Sequence, residues 1–154
     1  MATLATNPLL GKHLTAVTIT PQTVNASGVL ANATPVINAL ATIENIALDL
    51  TANLEEISAL TSVRDNNVIL SDAYGINLQV FKVNNGSDPD PLRNAFFTSD
   101  YFKISYTEGT VTPKVVTAYA VRGNYSGGFQ GKGKQIATAS FMCVDAGSDS
   151  IVVS

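Results

Sequence analysis

Apolar and polar positions alternate along much of this chain, which is the pattern of half-buried strands. The clearest case is the segment 46–54. One of its faces carries Ile46, Leu48, Leu50, Ala52 and Leu54. The alternation predicts a strand that continues to about residue 58. The alternative is a helix through Leu54, Ile57 and Leu60, whose spacing also fits one helical face; we favour the strand.

Further strands are predicted on both sides of this segment. On the N-terminal side, a polar arm over residues 1–13 leads into a strand at 14–20 that ends at Pro21, and a long loop or short hairpin follows over 22–35. On the C-terminal side, alternating or β-branched segments predict strands at 76–83, 101–107, 111–122, 135–144 and 151–153.

The segment 61–74 does not alternate in the same way. Polar and charged residues surround a small apolar centre of Val68, Ile69 and Leu70, and Gly75 follows. We predict an extended loop with a strand-like centre, and Gly75 ends this loop.

One short helix interrupts the strands. Asp90 stands where an N-cap is expected, Pro91 occupies the first helical position, and Leu92, Ala95 and Phe96 recur at helical spacing. A helix from Pro91 to about residue 98 is predicted. The elements together predict a mainly β fold of mixed, largely antiparallel strands with one short flanking α-helix.

Composition fits one domain over residues 1–154 and excludes several functions. The chain is 45% hydrophobic, 14% charged and has a formal net charge of −3. The acidic balance argues against binding nucleic acid through its phosphates. A single Cys143 and a single His13 exclude a Cys₂-type zinc site and a disulfide framework, and they disfavour Cys/His or Ser/His catalysis. We therefore expect no catalytic residue, no metal and no cofactor.

Neither a signal peptide nor a membrane span is apparent in the sequence, so we expect no membrane association.

Two short motifs suggest chemistry but have simpler explanations. The glycine-rich segment 128–135 nearly spells a phosphate-binding loop, but Gln135 stands where Ser or Thr is needed and a predicted strand follows instead of a helix. We interpret it as a hairpin loop whose Lys132 and Lys134 contact carboxylates of a partner. Asp88 and Asp90 lack the further ligands of a calcium loop, so the helix cap is favoured.

The order of elements resembles the major tail tube proteins of long-tailed, siphovirus-like bacteriophages. The segments that carry this resemblance are 101–109 after the helix, 116–121 with its glycine-rich turn, 131–134 and 139–141. The resemblance implies a β-sandwich or half-barrel whose copies form hexameric rings, stacked into a tube through which DNA passes without specific binding. It also implies a location in the virion tail after synthesis in the host cytoplasm, and contacts with tape measure and terminator proteins.

The resemblance gives the predicted strands and loops positions in a tube. The polar face of the long strand is predicted to line the lumen, through Asp49, Thr51, Asn53 and Glu55. The arm, the 61–74 loop and the glycine-rich loop are predicted to contact neighbouring subunits, through Leu9, Leu10, His13, Val68, Ile69, Leu70, Lys132 and Lys134. If six subunits each gave four strands, about 24 strands would enclose a lumen roughly 37 Å wide, which admits a duplex.

Other classes of protein stay open. The main alternative is a capsid decoration or cement protein, which is also small and rich in strands and loops. A carbohydrate-binding β-sandwich ranks lower, because the chain has no Trp and only five Tyr to stack on sugars. An enzyme ranks lowest.

Overall fold

A computed structural model describes residues 10–34, 36–57, 66–84, 88–129, 131–143 and 151–154; at 50–57 and 66–73 it describes the backbone only. A 3₁₀ turn at Gly11–His13 precedes the first strand. The strands and the helix are β1 (Leu14–Val24), β2 (Leu30–Asn32), β3 (Ile37–Asn38), β4 (Ile43–Ile57), β5 (Asn66–Phe81), α1 (Pro91–Thr98), β6 (Tyr101–Glu108), β7 (Lys114–Gly127), β8 (Ile136–Cys143) and β9 (Ile151–Val153).

The strands of the described residues form one antiparallel sheet in the order β2-β1-β6-β7-β8-β5-β4. Two short strands lie off this path, β3 beside β1 and β9 beside β7. The predicted fold class, mainly antiparallel β with one short helix, is confirmed.

The sheet curves around a single hydrophobic core. Phe102 on β6 and Phe141 on β8 lie on opposite sides of β7, yet their ring centroids are only 5.3 Å apart. Phe96 of α1 packs against both rings, with centroids 5.6 Å and 5.3 Å away. Buried side chains from β1 and β5 join the same cluster. A flat sheet could not bring these residues together, so the curvature gives the half-barrel form.

The connection between β3 and β4 closes the curved sheet. The backbone N–H of Ala39 donates to the carbonyl of Val17 on β1 at 2.9 Å, and the N–H of Phe81 on β5 donates to the carbonyl of Thr42 at 3.0 Å. The segment therefore bridges two strands that are not neighbours in the sheet, and it satisfies backbone groups that the curvature would otherwise leave unpaired.

The helix forms where the sequence predicts it. The Asp90 carboxylate accepts a hydrogen bond from the N–H of Arg93 at 3.2 Å, which caps the first turn of α1. Leu92, Ala95 and Phe96 are buried against the sheet. Both the predicted cap and the predicted buried face are confirmed.

The prediction that the first strand ends at Pro21 is wrong. β1 continues to Val24, and Pro21 stands opposite Phe102. The carbonyl of Pro21 accepts a hydrogen bond from Ala33 on the side of β2 and β3. Because N–H and C=O of one strand residue point the same way, the missing N–H faces the side of the short strands β2 and β3, and the long ladder with β6 is not interrupted.

The predicted loop at 61–74 is also wrong over residues 66–74, which form the first half of β5. Gly75 lies inside that strand, opposite Met142. A β-carbon at Gly75 would come within 3.3 Å of the Phe141 carbonyl, so the glycine permits a close approach of β8 instead of ending the strand. Residues 61–65 lie outside the described residues.

The other boundary differences have local causes. β7 runs to Gly127 instead of residue 122, with a β-bulge between Arg122 and Tyr125. A β-carbon at Gly123 would lie 2.7 Å from the Ser140 carbonyl, so the bulge depends on glycine. Of the predicted arm, residues 1–9 lie outside the described residues. His13 ends the 3₁₀ turn and its carbonyl accepts from the N–H of Gly109 at 2.9 Å.

Candidate functional site: assembly surfaces and a neutral sheet face

The β4–β5 hairpin extends beyond the rest of the sheet. β4 and β5 pair from Ile43 and Val80 to Ile57 and Asn66, but β8 pairs with β5 only from Gly75 to Phe81. Residues 50–57 and 66–74, here named the distal ribbon, pair with each other and with no third strand of the described chain. The distal ribbon is roughly 26 Å long. A two-stranded ribbon is marginally stable in water, so this segment is suited to packing against a partner.

Charge is unevenly distributed between this hairpin and the rest of the chain. The two strands contain no Lys or Arg and five acidic residues, namely Glu44, Asp49, Glu55, Glu56 and Asp72. Residues 82–134 contain seven of the nine basic residues of the chain and only four acidic ones. The hairpin is therefore the acidic part of the molecule, and the segment from β5 to β8 is the basic part.

One patch of the outward face of the sheet, on β4, β5, β7 and β8, is polar and uncharged. Its strand registers place Asn77 opposite Ser140 and Gln79 opposite Thr138. Six side chains, here named the neutral face, line a shallow concavity of about 230 Å³: Asn45, Asn77, Gln79, Asn124, Thr138 and Ser140. A second concavity of about 420 Å³ shares Gln79 and Thr138 with it. All six side chains are amides or hydroxyls, which both donate and accept hydrogen bonds.

The predicted lumen residues lie on β4, and one of them is described in full. Asp49 is exposed, and its carboxylate accepts a hydrogen bond from the Asn77 amide, which places it beside the neutral face. Thr51, Asn53 and Glu55 belong to the distal ribbon by backbone, and their side chains lie outside the described residues.

A buried polar cluster supports the start of α1. The Lys82 ammonium lies 3.6 Å from the Asp90 carboxylate, with side chains 9% and 2% exposed. The Tyr125 hydroxyl donates to the same carboxylate. Burial raises the pKa of the Tyr125 phenol, and the hydrogen bond to Asp90 raises it further. Asp90 therefore holds together the end of β5, the helix and β7, in addition to capping the helix.

The glycine-rich loop between β7 and β8 rests on the same cluster. Lys82 donates to the carbonyl of Gly128 at 3.3 Å, and its ammonium lies 5.3 Å from the centre of the Phe129 ring. Lys134, predicted to contact a partner, pairs with Glu44 of its own chain. Lys132 is exposed. The loop leads into the strand β8 and not into a helix, as the sequence predicts.

The predicted contact residues of the arm and the 61–74 segment have different surroundings. Leu10 is 51% exposed, and its N–H donates to Nδ1 of the half-buried His13 at 2.9 Å. Leu9 lies outside the described residues. Val68, Ile69 and Leu70 lie in the distal ribbon by backbone, next to a register shift, and their side chains are outside the description.

The part of the chain that the structure describes offers few means for metal or nucleophilic chemistry. It contains no group of three or more His, Cys, Asp or Glu side chains that could hold a metal ion. Burial raises the pKa of the half-buried Cys143 thiol, which makes its reactive thiolate rarer. None of the described helices is both long enough and apolar enough to span a membrane.

Neither the neutral face nor the buried cluster is predicted from the sequence. The signal for the neutral face was present, because Asn77 and Gln79 alternate with Ile76, Leu78 and Val80. The alternation predicts which side chains enter the core, but it does not show that the amides on the opposite face share one surface. No local pattern connects Lys82 with Tyr125, because 43 positions separate them and only the tertiary fold brings them to Asp90.

No protein-family model matches the sequence, and no curated protein shows significant sequence similarity to it. Solved structures do share its fold. A chain from the tail of an empty gene transfer agent particle, determined with C6 symmetry, superposes with a TM-score of 0.61 at 10% identity over 96% of this chain and 98% of its own. A chain of the native gene transfer agent virion superposes with a TM-score of 0.58 at 10% identity, over 96% of this chain and 99% of its own.

A chain from the baseplate of the anti-feeding prophage, solved with six-fold symmetry, gives a TM-score of 0.61 at 11% identity, covering all of this chain and 97% of its own. At these identities the likeness shows a common fold. The three neighbours come from phage-tail-like particles, and the likeness extends over nearly the whole length of each chain.

Proposed function

We propose that this protein is a structural component of a phage-type tail, whose copies form hexameric rings that stack into a tube for the passage of DNA. The observation that carries the proposal is the distal ribbon, which pairs with no third strand among the described residues, in a fold that the six-fold symmetric tail and baseplate chains share. The outer edge of each of its two strands is open, and a second copy of the chain can cover these edges.

The uneven charge of the chain supports head-to-tail assembly. An acidic hairpin on one copy is complementary to the basic segment of another, while two like surfaces repel each other. Contacts between unlike surfaces build rings when the rotation closes and filaments when it does not. Stacked rings combine both arrangements.

Within this proposal the predicted contact residues keep their roles. Leu9, Leu10, His13 and the Val68 to Leu70 centre would join neighbouring subunits, and the exposed Leu10 is available for this. Lys132 is exposed as such a contact requires, and Lys134 would have to exchange Glu44 for a carboxylate of its neighbour.

Asp49, Thr51, Asn53 and Glu55 remain the proposed lumen residues on β4, at the wall of a channel roughly 37 Å wide. Tape measure and terminator proteins are the proposed further partners. The tail of the virion is the proposed location, and a long-tailed, siphovirus-like particle the proposed source.

Electron microscopy of the purified protein in negative stain tests the proposal. Six-fold rings or tubes are expected at high protein concentration. Monomers or trimers at every concentration would contradict it, and binding of such monomers or trimers to a capsid shell would favour a decoration protein instead. A variant without the distal ribbon is the matched control, since it keeps the folded core but is expected to form no rings.

A further inference from the structure

We infer that the neutral face is the part of the channel wall that the DNA duplex passes, and that the wall meets DNA there through uncharged hydrogen-bonding groups. The inference rests on the proposed tube. It adds, beside the proposed lumen residues of β4, the surface that meets the duplex and the chemistry of that contact.

The position of the neutral face follows from the core behind it. Ile76 and Leu78 on β5 are 0% and 2% exposed, so the alternating Asn77 and Gln79 must point to the opposite side of the sheet. On β8 the buried Ala139 likewise alternates with Thr138 and Ser140. One side of these strands is fully occupied by the core, and the other side faces solvent in a single copy.

The chemistry of the neutral face suits a surface along which DNA moves. Lys or Arg side chains bind phosphates and release counterions, so a ring of them would hold the duplex. Carboxylates repel phosphates and keep the duplex away from the wall. Amides and hydroxyls do neither, and they can exchange hydrogen bonds with the water around a duplex.

Charged residues lie at the margins of this face. Asp49 stands at one margin, where Asn77 donates to it, and Lys134 stands at the other, where Glu44 neutralises it. The outward face on β6 and β7 differs, because Lys103 lies there with its ammonium 6.0 Å from the centre of the Tyr119 ring. A shallow concavity whose lining carries no formal charge is therefore found on β4, β5, β7 and β8, and the outward face beside Lys103 differs from it.

Thiol labelling tests the position of the face. Thr138→Cys in a Cys143→Ala background is assembled and treated with a small maleimide or with a maleimide attached to a globular protein wider than the channel. We expect the small reagent to label both monomers and tubes, and the large reagent to label monomers only. Asn94→Cys, on the exposed side of α1, shows in monomers that the large reagent reacts.

Labelling of tubes by the large reagent would place the face outside the channel, and failure of the small reagent would place it between subunits. Either result overturns the inference while tubes still form. An absence of tubes in the unmodified protein would instead refute the proposed function. Should Thr138→Cys fold poorly, the exposed Asn77→Cys gives the same readout.

Added charge tests the chemistry of the face. Gln79→Lys tubes are expected to retain short linear duplexes, with retention that falls steeply as salt rises, and not to retain closed circular DNA, which cannot thread a tube. Unmodified tubes should retain neither. Asn94→Lys adds the same charge on α1 and should not distinguish linear from circular DNA. Equal retention of both forms by Gln79→Lys, or of neither, would overturn the inference.

Discussion

The two halves of the β4–β5 hairpin have the same backbone pairing but different support. Near the sheet, β5 lies between β4 and β8, and its side chains Ile76, Leu78 and Val80 are part of the core. In the distal ribbon the ladder continues, and no third strand of the part of the chain that the structure describes joins it. The difference shows that strand pairing alone does not define a stable part of this protein. Burial of apolar surface stabilises the near half, and the far half depends on what it contacts.

The region around α1 is the most strongly supported part of the molecule. Three aromatic rings are in mutual contact here, those of Phe96, Phe102 and Phe141. The ion pair between Lys82 and Asp90 is buried near the start of the same helix. Changes here should act on folding, and changes in the distal ribbon should act on assembly. The four predictions that follow test this division.

Removal of the outer half of the distal ribbon should have the largest effect, and on assembly only. Residues 54–70 are replaced by Asn-Gly between the paired Asn53 and Ser71, which closes a two-residue hairpin. We expect loss of rings and tubes in negative stain, while the free energy of unfolding of the monomer changes by less than about 1 kcal/mol. Normal tubes from this variant, or a monomer that no longer folds, would contradict the division.

Truncation of the core should act on folding. Phe102→Ala removes a fully buried ring that contacts Phe96 and Phe141, and should lower the free energy of unfolding by about 3–5 kcal/mol in urea denaturation. Phe97→Ala is the matched control, because it removes the same kind of side chain from a position on α1, next to Phe96, that is 80% exposed, and it should cost less than about 0.5 kcal/mol. Similar losses for both would show that the aromatic cluster is not the stabilising element.

Loss of the Asp90 side chain should cost more than a helix cap alone. A cap contributes about 1 kcal/mol, but Asp90→Ala also leaves the Lys82 ammonium buried without its partner, so we expect a total of about 3 kcal/mol in urea denaturation. Asp90→Asn keeps a capping oxygen and removes only the charge. A loss of about 1 kcal/mol for Asp90→Ala would mean that the ion pair does not contribute.

The smallest predicted effect is a change in alkaline stability. The raised pKa of Tyr125 means that the folded protein keeps the phenol proton where the unfolded chain loses it, so this stabilisation is complete below about pH 10 and is lost as pH rises further. Tyr125→Phe should cost about 1 kcal/mol at neutral pH, and its free energy of unfolding should fall less steeply above pH 10 than that of the unmodified protein. Parallel pH profiles would refute this assignment.

The sequence predicted the elements that local chemistry determines. α1 was located to the residue because Asp90, Pro91 and the apolar spacing act within one turn of each other. β4 was recognised as a strand because its alternation is long. Pro21 and Gly75 misled the prediction, since each is a breaker on average, and only the neighbouring strands show that one faces a gap and the other a closely packed carbonyl.

The candidate surfaces were harder to predict than the fold. The position of Asp49 beside Asn77 and the pairing of Lys134 with Glu44 depend on registers between strands distant in the chain. A charged residue in a loop is equally consistent with a partner in its own chain and with one in a neighbour. The sequence therefore predicted which residues are polar, and the sheet determines which of them share a surface.

The separation of acidic and basic residues along the chain also gives each copy an electric dipole. In the proposed tube, a new copy that approaches the growing end would be oriented by that field before contact, and the inverted approach would be disfavoured. Such a filament has two unlike ends and grows with a fixed direction. At ionic strengths near 1 M the field reaches only about 3 Å, so concentrated salt should slow nucleation more than it weakens a finished filament.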